Sequence, residues 1–183
     1  MRDSAGNLYG TTYIGGLNYR GTVFELDPNG IESILYDFGS TGAGDGAYPS
    51  GTLVRDPAGS LYGTTMQGGA VGAGTVFKLD SNNNETIIHS FAATAADGAV
   101  PGGGVLRDGA GNLYGTTSEG GSLLYGTVFK LDSSGKETIL HNFSGKNGDW
   151  PDLGVVRDSK GNLYGTTQYG GAYGGGVVFK VSP

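Results

Sequence analysis

A chain of 183 residues is long enough for one domain with a substantial core, and 37% hydrophobic content is too high for a disordered linker despite 38 glycines. A formal charge of −6, with Lys and Arg spread rather than gathered, excludes a general nucleic-acid binder, which needs clustered cations to displace counterions from phosphate. The absence of cysteine removes disulfides and thiolate chemistry, and no run of 18 apolar residues offers a membrane-spanning helix.

Met1 is followed by Arg2-Asp3-Ser4 rather than by an apolar leader, so no export signal is readable here. The turn word Asp3-Ser-Ala-Gly6 then leads into Asn7-Leu-Tyr-Gly-Thr-Thr12, and both words return. The tyrosines Tyr9, Tyr62, Tyr114 and Tyr164 lie 53, 52 and 50 residues apart, the signature of a repeat architecture. Four copies divide one domain at 1–50, 51–102, 103–152 and 153–183.

The second copy shows the internal plan most plainly. Thr52 to Arg55 is a first strand, Asp56-Pro-Ala-Gly59 a turn, Leu61 to Met66 a second strand, and Gly68 to Gly74 a loop. Thr75 to Leu79 is a third strand, and Asp80-Ser-Asn-Asn-Asn84 turns the chain into a fourth, Thr86 to Phe91. Each Asp-x-x-Gly word fits a type I turn closed by a glycine with positive φ, its aspartate bonding nearby backbone. Glycine and proline interrupt every stretch that carries a helical apolar period, so the chain reads as all-β.

Alternation in Val76-Phe77-Lys78-Leu79 places Phe77 and Leu79 on one face and Val76 with the Lys78 stem on the other. Small sheets apolar on both faces want a neighbour on each side, and a ring of sheets supplies them. The expected architecture is a β-propeller, one blade per copy. The first copy opens at its hairpin turn and lacks a first strand, while the last stops at Pro183 after its third, which predicts fourteen strands. An arc of a larger array fits better than a four-bladed ring with two defective blades. A β-trefoil would leave an unexplained remainder, and solenoid coils are normally shorter. Open terminal blades also predict self-association.

The words GNLYGTT, GG, GTVFKL and ETILHNF resemble the bacterial Gloeo-Verruco tandem repeat, GloVer, through essentially the whole chain in four copies. Departures are few: Gly176-Val177 stands for Gly-Thr in the last copy, and Glu25 for the third-strand lysine in the first. The resemblance implies an exported protein tied to the cell surface by one of several kinds of C-terminal anchor, hence an extracellular or cell-surface location. It implies no activity. A looser similarity of D-x-x-G-N-L-Y to the blades of NHL-type and lyase-like propellers opens an enzyme reading, a metal-dependent lyase- or lactonase-like protein.

In a propeller, the loops joining second to third strands and those joining successive blades share one face. They are also the most variable stretches between copies, where binding residues tend to reside. Asp45, Asp97 and Asp149 recur ahead of Pro49, Pro101 and Pro151, so three carboxylates are candidates to ring the channel mouth and hold a cation or polyhydroxylated ligand. The plainer alternative is a turn or cap in each blade. A real ring would raise at least one of their pKa values by like-charge proximity. The loop aromatics Tyr13, Tyr19, Tyr125, Trp150, Tyr169 and Tyr173 lie outside the repeated words and suit sugar rings or protein side chains, or else cover blade ends. Both histidines, His89 and His141, fall at one repeat position on the outer strand, where the first copy has Tyr36, and read as packed or edge residues. No zinc or nucleophile motif appears, and no cofactor is expected. The leading expectation is a non-catalytic scaffold binding a carbohydrate or protein partner.

Overall fold

The computed structural model describes residues 1–42 and 44–183. Among the described residues, fourteen strands form four antiparallel sheets, of three, four, four and three strands, and the sheets succeed one another as blades of an incomplete propeller. The first blade holds β1 (Leu8–Thr12), β2 (Thr22–Leu26) and β3 (Glu32–Asp37); the second holds β4 (Gly46–Arg55), β5 (Leu61–Gly68), β6 (Thr75–Leu79) and β7 (Glu85–Ser90). The short ladder β8 (Gly98–Ala99) with β11 (Glu119–Gly120) stands apart from the third blade, whose sheet is β9 (Leu106–Arg107), β10 (Leu113–Thr117), β12 (Thr127–Leu131) and β13 (Glu137–Asn142). The last blade comprises β14 (Val156–Arg157), β15 (Leu163–Thr166) and β16 (Val178–Val181). Among the described residues there is no helix, so none long and apolar enough to cross a membrane.

Each blade is built around the LYGTT strand. The turn aspartate works twice: Asp56 Oδ1 accepts the Ser60 backbone N–H at 2.9 Å, and its Oδ2 accepts the Tyr62 hydroxyl at 2.9 Å. The same pair recurs as Tyr9–Asp3, Tyr114–Asp108 and Tyr164–Asp158, at 3.2, 3.1 and 3.0 Å. The central glycine is a seat for an aromatic ring. Gly63 pairs with Phe77 across the ladder, and a Cβ on Gly63 would lie 2.7 Å from Phe77 Cζ. The threonine hydroxyls close the far end, Thr65 to Thr75 and Thr117 to Thr127 at 2.8 Å. Val177 removes that hydroxyl partner in the last blade, where only its backbone N–H reaches Thr167 Oγ1, at 3.1 Å.

Three apolar clusters fill the three seams between blades. Phe38 meets Phe77, Phe91 meets Phe129 and Phe143 meets Phe179 edge to face, with centroids 5.2, 5.2 and 5.1 Å apart. At one end of each seam the later blade lays an arginine over the earlier blade's tyrosine: Arg55 on Tyr9, Arg107 on Tyr62 and Arg157 on Tyr114, at 5.5, 5.6 and 5.7 Å. Along the inner edge the backbones nearly touch, and a Cβ on Gly103 would overlap the backbone of Gly154. The first strand of the second blade runs longer than Thr52–Arg55, because Gly46 and Ala47 continue its ladder onto Gly68 and Gln67 beyond an irregularity between Ser50 and Val54. The ladder of β8 with β11 is the same extension in the next blade.

Candidate functional site

The inter-blade connections and the loops after the second strands meet on one face, as the Tyr48 N–H to Arg20 carbonyl and Val100 N–H to Ala73 carbonyl bonds at 2.8 and 2.9 Å show. The three candidate aspartates are not equivalent there. Asp45 and Asp97 stand four residues before their prolines and Asp149 only two; the position matching them is Asn147. Asp45 is 4% exposed and accepts the Gly39 N–H at 2.6 Å and the Tyr36 hydroxyl at 3.1 Å. Asp97 accepts the Ala92 N–H at 2.7 Å and lies 3.3 Å from His89 Nε2. Asn147 Oδ1 accepts the Ser144 N–H at 2.8 Å, and its Nδ2 lies 3.1 Å from His141 Nε2. Asp45, Asp97 and Asn147 therefore each fold their own connection and engage the outer strand of their blade.

Asp149 instead pairs its backbone with Tyr169 in both directions, at 2.9 and 3.0 Å. Beside it Trp150, 39% exposed, presents its ring edge-on to Tyr169 with centroids 6.3 Å apart. Trp150, Asp149, Tyr125, Leu124, Ser118 and Ala99 line a cleft of about 400 Å3 between connection and loop. Trp150 is held at φ 59°, as are its equivalents Tyr48 and Val100 at 57° and 56°, a left-handed conformation costly for such side chains. The repeat dictates the backbone there while the side chain varies, which is how a scaffold displays different groups from one position. Tyr19 and Tyr173 stand apart from this cleft, Tyr173 fully exposed on its loop. Tyr48, which sequence reasoning passed over, stacks on Tyr13 with centroids 5.1 Å apart. Its place two residues after Gly46, matching Trp150 two after Gly148, was the available signal.

A second cluster lies at the outer edge of a seam. His89, Asp97 and Glu137 of the next blade bring ligand atoms within 4.8 Å of one another, with Glu137 Oε2 3.9 Å from His89 Nε2. Burial and the neighbouring Asp97 charge push the Glu137 carboxyl up to about 8, and burial and Asp45 push the equivalent Glu85 up to about 7. Like-charge proximity thus acts on the glutamates of following blades. Burial alone would lower His89, but its Asp97 bond and the charges of Glu137 and Asp97 outweigh it and raise the pKa; His141, beside neutral Asn147, is lowered by burial. Among the described residues, these three groups lie close enough to hold a divalent cation through one imidazole and two carboxylates.

The turn, seat and seam recur with the period of the words that carry them, and the family model described as the Gloeobacter/Verrucomicrobia repeat matches residues 56–183. The chain belongs to that family. No curated protein sequence matches it. Among solved structures, an X-ray structure of a candidate gluconolactonase is similar over 100% of this chain and 62% of its own, with TM-score 0.59 and 17% identity. A gluconolactonase from Xanthomonas campestris is similar over 100% of this chain and 55% of its own, with TM-score 0.56 and 15% identity. The Gloeobacter/Verrucomicrobia repeat chain therefore shares their fold while spanning about three fifths of their length, and identity this low speaks to fold alone. Within the repeat, the invariant words make the blades, and Trp150, Tyr125 and Asp149 are additions to one of them.

Proposed function

We propose that this repeat arc is a non-catalytic scaffold that binds a ligand at its loop face, with the cleft of Tyr125, Asp149 and Trp150 as the principal contact. The observation that carries the reading is the exposed Trp150 ring, fixed by a left-handed backbone against Tyr169 and set beside a carboxylate. An aromatic plane next to a hydrogen-bond acceptor suits the apolar face and hydroxyls of a sugar ring, and equally an aromatic-rich protein loop. An exported, surface location accords with it, as the family resemblance implies. A panel of oligosaccharides and surface glycans screened against the chain should yield binding that Y125A/D149N/W150A removes; undiminished binding by that variant would overturn the assignment.

The second reading is a metal-dependent enzyme like the lyase or lactonase propellers. It draws on the fold likeness and on the His89–Asp97–Glu137 cluster. His89 and Glu137 of that cluster lie on outer strands and Asp97 on the connection that follows, whereas the inner edge brings Gly103 against the backbone of Gly154. A thermal shift on adding Zn²⁺ or Mn²⁺, lost in Asp97→Ala, together with lactone hydrolysis, would favour it.

A further inference from the structure

The repeat builds one seam position in different chemical versions. Between the first and second blades, Asp45 accepts the Tyr36 hydroxyl at 3.1 Å, and Glu85 of the later blade lies near enough to feel the Asp45 charge. Between the second and third blades the same positions are His89, Asp97 and Glu137, so an imidazole replaces the phenol beside the two carboxylates. At His141 the imidazole returns, but the matching connection residue is the neutral Asn147. A phenol whose proton is held on by burial offers a cation far less than an imidazole nitrogen does.

The spacing of the His89 cluster suits coordination. His89 Nε2 is 3.3 Å from Asp97 Oδ1 and 3.9 Å from Glu137 Oε2. Donors about 2.0–2.2 Å from a tetrahedral zinc stand about 3.3–3.6 Å apart, so closing one edge by about half an ångström completes the set. The groups are also held in place. Asp97 is 8% exposed, and its Oδ2 and Oδ1 accept the Ala92 and Gly98 N–H groups at 2.7 Å each, as outer bonds orient the ligands of metal sites. The His89 ring stands edge to face on Phe91 with centroids 4.7 Å apart. Glu137, its side chain 11% exposed, carries a buried Oε1 with no hydrogen-bond partner among the described residues. A buried carboxylate oxygen in that position is costly, and a cation would offset the cost.

We propose that His89, Asp97 and Glu137 form a structural zinc site that clips the second blade to the third, with water completing the tetrahedral set. The two carboxylates balance the charge of the ion, and the imidazole binds in its neutral form through Nε2. The ligands come from β7, from the connection after it and from β13, so a bound ion ties two blades together rather than bracing one loop. Its effect is on cohesion, which is measured without any activity and independently of both readings of function.

The whole chain, freed of metal by a chelator, should bind one Zn²⁺ in isothermal titration and gain in Tm when Zn²⁺ is added. Co²⁺ in its place should show the visible absorption of a tetrahedral ion. His89→Tyr and Asp97→Asn each install a side chain that the repeat already carries at the equivalent position, and circular dichroism checks that both fold; each should lose the binding and the gain in Tm. Tyr36→His supplies Asp45 and Glu85 with an imidazole and should add a second Zn²⁺, an arm that decides the matter even if the loss variants unfold. Wild type without saturable Zn²⁺ binding, binding that survives in folded His89→Tyr or Asp97→Asn, an equal gain in Tm from Mg²⁺, or a folded Tyr36→His chain that binds no further ion would each overturn the proposal.

Discussion

Replacing the LYGTT glycine by alanine should have opposite consequences in a closed seam and on an open face. Neither Gly115 nor Gly10 has a positive φ, so alanine is free to take either backbone and would gain about 0.4–1 kcal/mol by restricting the unfolded chain. Against that gain stands the ring. A Cβ on Gly115 would lie 2.6 Å from Phe129 Cζ, and Phe129 is 0% exposed between two blades, so it has nowhere to move. Overpacking of this kind costs about 1–3 kcal/mol, leaving Gly115→Ala destabilised by about 1–2 kcal/mol net. A Cβ on Gly10 meets Phe24 at a similar 2.7 Å, but Phe24 is half-buried on the open face of the first blade and can swing outward. Gly10→Ala should therefore be close to neutral. At about 2–4 °C per kcal/mol for a chain of this size, calorimetry should show a Tm lowered by several degrees for Gly115→Ala alone. Phe129→Leu combined with Gly115→Ala should recover part of the loss, a coupling that a double-mutant cycle reads directly. Equal shifts at the two sites, or an additive cycle, would refute the seating of the ring.

The two histidines are a matched pair differing chiefly in partner, Asp97 for one and Asn147 for the other, so their NMR titrations should separate, His89 above and His141 below the ordinary imidazole value; Asn147→Asp should raise His141. The raised carboxyls of Glu137 and Glu85 bind protons more tightly in the folded chain, so the stability they contribute is complete below about pH 4.5 and is lost as pH rises through about 7 and 8. His89, raised as well, acts in the same direction above pH 6.5. E85Q/E137Q should flatten that slope in urea melts at pH 5 and pH 8. Arg107→Ala should lower the Tm by removing the cation over Tyr62, while Arg2→Ala, with no tyrosine beneath it within its own chain, should leave the monomer's Tm unchanged.

The blades were legible because their words repeat and their turns are local. The Asp-x-x-Gly device is a hydrogen-bond pattern spanning four residues, and Asp56 with Ser60 shows that it closes as the residue types demand. The third strand falls at Thr75–Leu79 because alternation and turn residues bracket it on both sides. The LYGTT glycine was harder to interpret, since glycine suggests a turn, and its reason is a phenylalanine that only the ladder register brings above it. The candidate site was less readable for two physical reasons. Taking the aspartate ahead of each proline without counting its distance from that proline aligned Asp149 with Asp45 and Asp97, although the matching side chain is Asn147. The Asp97–Glu137 pair joins residues of different blades, so no local pattern announces it, and its raised pKa belongs to a glutamate at the start of an outer strand.

Trp150 is the chain's single tryptophan, and it lines the proposed cleft, so its emission reports on that site without background. Titrating the whole chain with oligosaccharides while following that emission is the most direct test of the loop face as a binding surface. Saturable quenching or a spectral shift, weakened by Asp149→Asn and Tyr125→Ala and unaffected by Tyr173→Ala, is the expected result. Glycan or protein binding that leaves the Trp150 emission unmoved and persists in the Tyr125 and Asp149 variants would contradict it.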